Sequence, residues 1–300
     1  MDKSNQSIEE FIAQGRAGRH ETFTPRYGWL TKGFMEAGLD PKVFTALDAI
    51  ERLGVGKNMV RSIRFWCTAL GLLEEDMSPT FLGKELLAGK YGWDPYLEDD
   101  ASLWLLHWQL FIPPFRAVSW PLVFNYCNLP SFDAKDLLNI IKKTVRPYPN
   151  LSGLSDKTFM NDASCLMRMY TDRGRESEID CPFDQLGLIY TTEERNRASF
   201  NYNAKPSLPA LIFAAACFSY IHEYYSQKQK SISLEHLTFG FNSPGVAFKI
   251  SETQAGSYLE EASALLGGFS LANRLGEMQL FLSKEPINLH GDALKMYYAG

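Results

Sequence analysis

Apolar residues recur along most of the chain at spacings of three and four, a pattern that predicts a mainly helical protein. The clearest instance runs from Thr45 to Leu73. Ala46, Leu47, Ile50 and Leu53 are expected on one helical face, Gly54-Val55-Gly56 supplies a three-residue turn, and a second helix is predicted from Lys57 to Leu70. Val60, Ile63, Cys67 and Leu70 give that second helix its apolar stripe. Lys57, Arg61, Arg64 and Thr68 recur on another face, with Asn58 beside them. This is the layout of a helix-turn-helix. A short cationic helix on an apolar back suits a DNA major groove, where Arg and Asn reach base edges or phosphates. The same layout also serves as a packed helical hairpin or a protein-docking module, and the pattern alone leaves both readings open. Gly71-Leu72-Leu73, an acidic loop and then Thr80-Phe81-Leu82-Gly83-Lys84 predict a strand and wing after it.

Elsewhere the pattern divides the chain into a flexible lead-in over 1–19, a winged-helix-type DNA-binding region over 20–128 and a helical region over 129–300. Helices are expected through Phe34 and Met35 to Gly38, over Ala101–Leu110, Phe132–Thr144, Ser155–Tyr170 and Ser207–Tyr225. Acidic residues before Ala101 suit the positive end of that helix, and Pro113-Pro114 lies beyond it as a stop. Asp172–Asp180 reads as a charged surface loop. Ser251-Glu252-Thr253-Gln254 fits a capping box opening a helix to Leu266. Phe269–Ala272 and Gln279–Leu282 flank a turn and predict a hairpin, so a second winged-helix-like unit is expected near the end. The expected fold class is therefore mainly α with small β wings.

Composition narrows the class. At 300 residues and 45% hydrophobic content the chain can bury a large core. No run approaches the roughly 18 apolar residues of a membrane span, and the polar opening MDKSNQSIEE is no secretory signal. Five scattered cysteines without CxxC spacing point to reduced, buried thiols and a cytoplasmic location. The net charge of −5 argues against a protein that coats nucleic acid. Its distribution matters more: residues 1–70 carry ten Lys/Arg against eight Asp/Glu, and residues 71–140 carry four against ten. Any DNA footprint is thus local.

The blocks HETFTPRYGWLTKGF at 20–34 and LGVGKNMVRSIRFWCTALGL at 53–72 resemble a bacterial family of previously unknown function, whose best known member type is the SspB component of single-stranded DNA phosphorothioation systems. Further matching features are Tyr96-Leu97, Leu103–Trp108, Ser243-Pro244-Gly245 with Phe248, and Leu275–Gln279, so the resemblance spans 19–297. It implies a DNA-nicking component of a DNA-modification and antiviral-defence system. Such a component acts beside a cysteine desulfurase, an ATPase and a sulfurtransferase-like ATP pyrophosphatase.

Chemistry is harder to place. The histidines at 20, 107, 222, 236 and 290 lack metal-ligand spacing, and Gly54-Val55-Gly56-Lys57 lacks the full phosphate-loop pattern. No nuclease signature is present. Phosphodiester cleavage needs an activated nucleophile, charge stabilisation and a leaving-group acid. One cluster, 20–32, offers all three residue types: His20 and Glu21 as candidate catalytic groups, Arg26 and Lys32 for phosphate, and Tyr27 as a nucleophile or stacking platform. The structural alternative is that His20 and Glu21 hydrogen-bond the loop while Tyr27 and Trp29 fill the core. Whether such a centre uses a divalent ion, Mg²⁺ or Mn²⁺, is not legible in the sequence. The expected site is therefore His20 and Glu21 for chemistry, with Arg26, Lys32, Lys57, Asn58, Arg61 and Arg64 on DNA. A non-catalytic DNA-binding adaptor and a transcription regulator remain as alternatives.

Overall fold

Amphipathic periodicity becomes fifteen helices and two small antiparallel sheets in a computed structural model, which describes residues 8–171, 181–194, 196–225 and 230–299. The charged segment Asp172–Asp180 lies outside the described residues. The first half contains α1 (Ile8–Ala13), α2 (Trp29–Leu39), α3 (Ala49–Leu53), α4 (Lys57–Ala69), α5 (Phe81–Leu87), α6 (Asp100–Gln109) and α7 (Ser119–Tyr126). The second contains α8 (Ala134–Val145), α9 (Pro149–Ser152), α10 (Asp156–Tyr170), α11 (Ala210–Tyr224), α12 (Leu234–Phe239), α13 (Pro244–Phe248), α14 (Glu252–Leu265) and α15 (Pro286–Ala299). No helix among the described residues is long and apolar enough to cross a membrane.

The helix-turn-helix pair is present, with a different first face. Gly54 turns the chain at φ +63° between α3 and α4, a conformation that suits a residue without Cβ. Val60, Ile63, Cys67 and Leu70 are buried as expected. On α3, however, Ala49 and Leu53 point inward while Ile50 is exposed, as is Leu47 just before the helix. Residues 43–45 form a separate 3-10 turn, so the helix starts at Ala49 and its phase shifts. The expected wing is also reduced. Leu73 pairs with Pro79 in a single bridge, and Thr80 then caps α5 by accepting from the Gly83 amide at 2.9 Å. Thr80–Lys84 is thus the start of a helix, because Thr at that position satisfies an orphan N–H that a strand would leave free.

Helix α1 anchors the beginning: Phe11 and Ile12 are buried, and Phe11 meets Phe115 and Tyr224 edge to face. Residues 8–13 of the expected lead-in are therefore packed helix. The capping box of α14 forms as read, Ser251 with Gln254, and a second one starts α8, Asp133 with Asp136. At the core's centre α6 buries Trp104, Trp108 and His107. His107 bridges the Tyr170 hydroxyl at 2.8 Å and the Ala247 carbonyl at 2.9 Å, and burial pulls its pKa down to about 4. It is a neutral structural link across the fold. Helix α11 is buried along twelve of its fifteen residues and packs on α15, α14 and α6. The buried apolar residues form one contiguous cluster from Phe11 to Leu294, shared by the segments on both sides of position 129.

Two sheets complete the fold. β1 (Ile189–Thr191) pairs with β2 (Ala198–Phe200). β3 (Ser231–Ser233), β4 (Phe269–Arg274) and β5 (Glu277–Leu282) form an antiparallel sheet in the order β3-β5-β4. The hairpin expected near the end is present. Its turn residues Leu275 and Gly276 both take positive φ, as a two-residue loop between twisted strands requires.

Candidate functional site

Helix α4 supplies one wall of the candidate site. With the apolar stripe buried, Lys57, Asn58, Arg61 and Arg64 share the solvent face at helical spacing. Arg61 and Arg64 line a cavity of about 350 Å³, together with Phe65 and Thr68 of the same helix. Lys57 and Asn58 lie toward the start of α4, outside that lining.

The other walls come from places that are far apart in sequence. Arg16 and Arg19 enter from the segment after α1, Arg116 from the loop between α6 and α7, and Phe44 and Thr45 from the turn before α3. Glu75 and Met77 come from the hairpin closed by the Leu73–Pro79 bridge. Five arginines against two glutamates, Glu21 and Glu75, leave the lining with a charge of +3. Glu75 is held between two of the arginines: Arg16 Nη1 donates to its carboxylate at 2.9 and 3.0 Å, and Arg116 Nε donates at 3.0 Å. Burial raises the Glu75 pKa, but these hydrogen bonds outweigh it and the group stays below its ordinary value, ionised at neutral pH. Arg61 Nη1 lies 3.7 Å from Glu21 Oε1. Arg19 and Arg64 form no ion pair among the described residues, so their charges remain for an incoming anion.

A strained loop carries Glu21 to this wall. Gly18, Arg19, Glu21 and Thr22 all have φ between +50° and +74°, a region that costs a side-chain-bearing residue energy unless its surroundings hold it. The holder is Asp162 on α10. Its carboxylate accepts the Gly18 amide at 3.0 and 3.2 Å, the His20 ring at 2.9 Å and the Ser119 hydroxyl at 2.5 Å. Trp66 and Cys165 both donate to the Phe23 carbonyl, and Arg168 donates to that of Thr22. Thus α4, α7 and α10 together fix the loop.

His20 and Glu21 are adjacent in sequence but face opposite ways. His20 is 1% exposed among Phe65, Trp66 and Trp120, so its ring cannot meet a DNA phosphate without the loop unfolding. Ser119, Asp162 and His20 do not form a nucleophilic triad, because both Ser119 and His20 bind the carboxylate and not each other. Glu21 reaches the cavity. Arg26 lies over the rings of Phe23 and Trp29 at 5.9 and 5.3 Å, and Lys32 lies against the turn at Gly54. Neither lines the cavity. Tyr27 is partly exposed and bonds Gln185. Arg16, Arg19, Arg116 and Glu75 were not legible as site residues. The one local hint is the pair Arg16 and Arg19 directly before His20, in a segment whose composition reads as a lead-in.

Among the described residues no group of three or more His, Cys, Asp or Glu side chains is arranged to hold a metal ion. Of the two carboxylates of the cavity, Glu75 is hydrogen-bonded by two arginines and Glu21 lies 3.7 Å from a third. The donors present therefore do not make a protein-built cage for Mg²⁺, which favours oxygen ligands in near-octahedral array.

The chain matches the family model described as "Protein of unknown function (DUF4007)" over residues 18–298. No curated protein matches it. Two solved structures are similar over 96% of this chain and 90% of theirs, each at 34% identity: an SspB crystal structure, with a TM-score of 0.87, and a magnesium-ion-bound SspB crystal structure, with a TM-score of 0.86.

Proposed function

Because the chain belongs to the DUF4007 family, and because five arginines converge on one cavity beside α4, we propose that it is the DNA-binding, SspB-type component of a phosphorothioation system. The likeness to SspB supports the system, and the arginine cavity supports the ligand. Guanidinium groups pair with phosphate oxygens bidentately and stay charged at any physiological pH, so a cavity walled by them favours a DNA backbone over a neutral ligand. In this reading α2–α4 and the Leu73–Pro79 bridge act as a reduced winged helix. The segment α11 to β5 acts as a second, because its first strand pairs with its last. The helix α14 of that second unit carries Glu252, Glu260 and Glu261 and is not a DNA face.

Strand nicking is the finer part of the proposal. Glu21 is the carboxylate beside Arg61, and a phosphate seated on Arg61 would bring it near attacking water. Glu21 would take the water's proton as the new P–O bond forms. The arginines would stabilise the charge on phosphorus oxygens, and the leaving oxygen would take a proton from solvent as its P–O bond breaks. His20 acts in this scheme only by holding the loop. The cysteine desulfurase, ATPase and ATP-pyrophosphatase-type sulfurtransferase implied by the resemblance are the proposed partners. The magnesium-ion-bound SspB structure makes Mg²⁺ the first cation to supply in assays.

A second reading, a non-catalytic adaptor that positions partner enzymes on DNA, is favoured by the burial of His20 and by the salt links already made by Glu21 and Glu75. Relaxation of supercoiled plasmid by the purified chain, with Mg²⁺, with Mn²⁺ and with a chelator, separates the two. Nicking lost in Glu21→Gln supports the first. Intact plasmid under all three conditions, with duplex binding retained, supports the adaptor.

A further inference from the structure

The shape of the arginine cavity conflicts with simple groove reading by α4. A helix that enters a major groove must stand proud of its surroundings, because the groove is about 12 Å wide and lies between two walls of backbone. Here the middle of the helix is flanked by other elements. Arg61 and Arg64 share a half-open cavity with Arg16, Arg19 and Arg116, and Glu75 ties Arg16 to Arg116. A duplex cannot enter a space of about 350 Å³, whereas a ligand of small-molecule size can.

The lining has two chemistries side by side. The guanidinium groups recognise a phosphodiester, while Phe65, Phe44 and Met77 add apolar surface, with Phe65 only partly buried. An inorganic anion would use the first and gain nothing from the second. One nucleotide uses both, since its phosphate is anionic and every base has a π face that stacks on an aromatic ring. The strained loop 18–22 fixes Arg19 and Glu21 at the rim, and a preorganised rim costs little further ordering when the ligand arrives.

We propose that this cavity receives one unpaired nucleotide of a DNA strand, with its phosphate among Arg19, Arg61 and Arg64 and its base against Phe65. The proposal rests on the reading of the chain as a DNA-binding protein and names the form of DNA that this site takes. Lys57 and Asn58, on the same helix but outside the cavity, then contact the flanking backbone. A paired base must leave its stack to enter, so single strands, nicks and mismatches bind better than a perfect duplex.

The full chain is titrated at low salt with oligonucleotides carrying 2-aminopurine, whose fluorescence rises on unstacking. Thymidine 5′-monophosphate and inorganic phosphate serve as competitors. The expected result is a fluorescence rise on binding, and competition by the mononucleotide at roughly tenfold lower concentration than by phosphate. Phe65→Leu keeps apolar volume without the π face, and should erase the mononucleotide's advantage while leaving phosphate competition in place. Equal competition by the two anions would reduce the cavity to a phosphate site and overturn the proposal. So would tight binding of perfect duplex with the probe still quenched, an outcome that leaves the DNA-binding reading standing. No binding to any DNA would remove both.

Discussion

The Asp162 carboxylate on α10 and the His20 ring in the strained loop lie 2.9 Å apart, each residue about 1% exposed, although 142 positions separate them in sequence. Asp162 also receives the Gly18 amide and the Ser119 hydroxyl, so a single buried carboxylate satisfies three donors. Removing it would strand those donors and release the loop that carries Glu21. Breaking a buried pair of this kind typically costs about 3–5 kcal/mol. Asp162→Ala is expected to lose stability of that order in urea unfolding. A loss under about 0.5 kcal/mol, the range of a surface change, would show that the loop is held elsewhere.

The opposite orientations of His20 and Glu21 separate their variants. His20→Gln should lower the melting temperature, with the remaining folded protein keeping its DNA affinity. Glu21→Gln, at a partly exposed site, should melt within a few degrees of the parent. If the chain nicks plasmid, Glu21→Gln should lower the rate by roughly 10²–10⁴-fold, the usual cost of a lost general base. A Glu21→Gln protein nicking at the parent rate would exclude Glu21 as the base.

Salt dependence measures how many phosphates α4 neutralises. Replacing Lys57, Arg61 and Arg64 with alanine should flatten the log–log salt slope of duplex DNA binding by about 0.9 for each phosphate that is no longer neutralised, or about 0.7 on single strands. A triple variant that folds normally, with affinity and slope unchanged, would exclude this helix from the interface.

Gly33 on α2 packs directly against α4. A Cβ there would sit 2.5 Å from Ile63 Cγ2 and 2.7 Å from Cys67 Sγ, both on the buried stripe of α4. Gly33→Ala must push the two helices apart, at a typical overpacking cost of about 1–3 kcal/mol. It should lower the melting temperature and weaken DNA binding together, because Arg61 and Arg64 move with α4. Unchanged melting would mean that the helices do not pack this closely.

Lys249 predicts a pH dependence. Its ammonium group is buried, donates to the Phe124 carbonyl at 2.6 Å and lies 4.0 Å from the Phe200 ring, and burial pulls its pKa down to about 7. The unfolded lysine titrates near 10.4. Between those values the unfolded state holds the proton and the folded state does not, so this residue makes stability rise with pH above about 7 and level off near 10. The slope is roughly 1.4 kcal/mol per pH unit at most. Lys205, lowered to about 8, and the buried Cys127 contribute nearby, so the test is the difference between parent and Lys249→Met in melts from pH 7 to 9. Parallel pH profiles for the two proteins would refute the assignment.

Local physics alone determined much of this fold. The spacing of Val60, Ile63, Cys67 and Leu70, the glycine turn before them, the capping box at Ser251 and the hairpin around Leu275-Gly276 are set by neighbours within a few residues, and all are present. The exposed stripe of Lys57, Asn58, Arg61 and Arg64 was legible for the same reason. The start of α3 and the loss of the wing were not. Whether Leu47 or Ala49 faces inward depends on what α3 packs against, and Thr80 caps a helix only because α5 finds a place beside Leu72 and Phe34. The cavity was least legible of all. Arg16, Arg19, Arg116 and Glu75 meet α4 only after the chain has folded, and Asp162, distant in sequence, decides that Glu21 turns outward while His20 turns in. Sequence spacing fixes which residues share one helical face. Which faces then meet depends on burying a common core and satisfying a carboxylate inside it, and only the tertiary structure decides that.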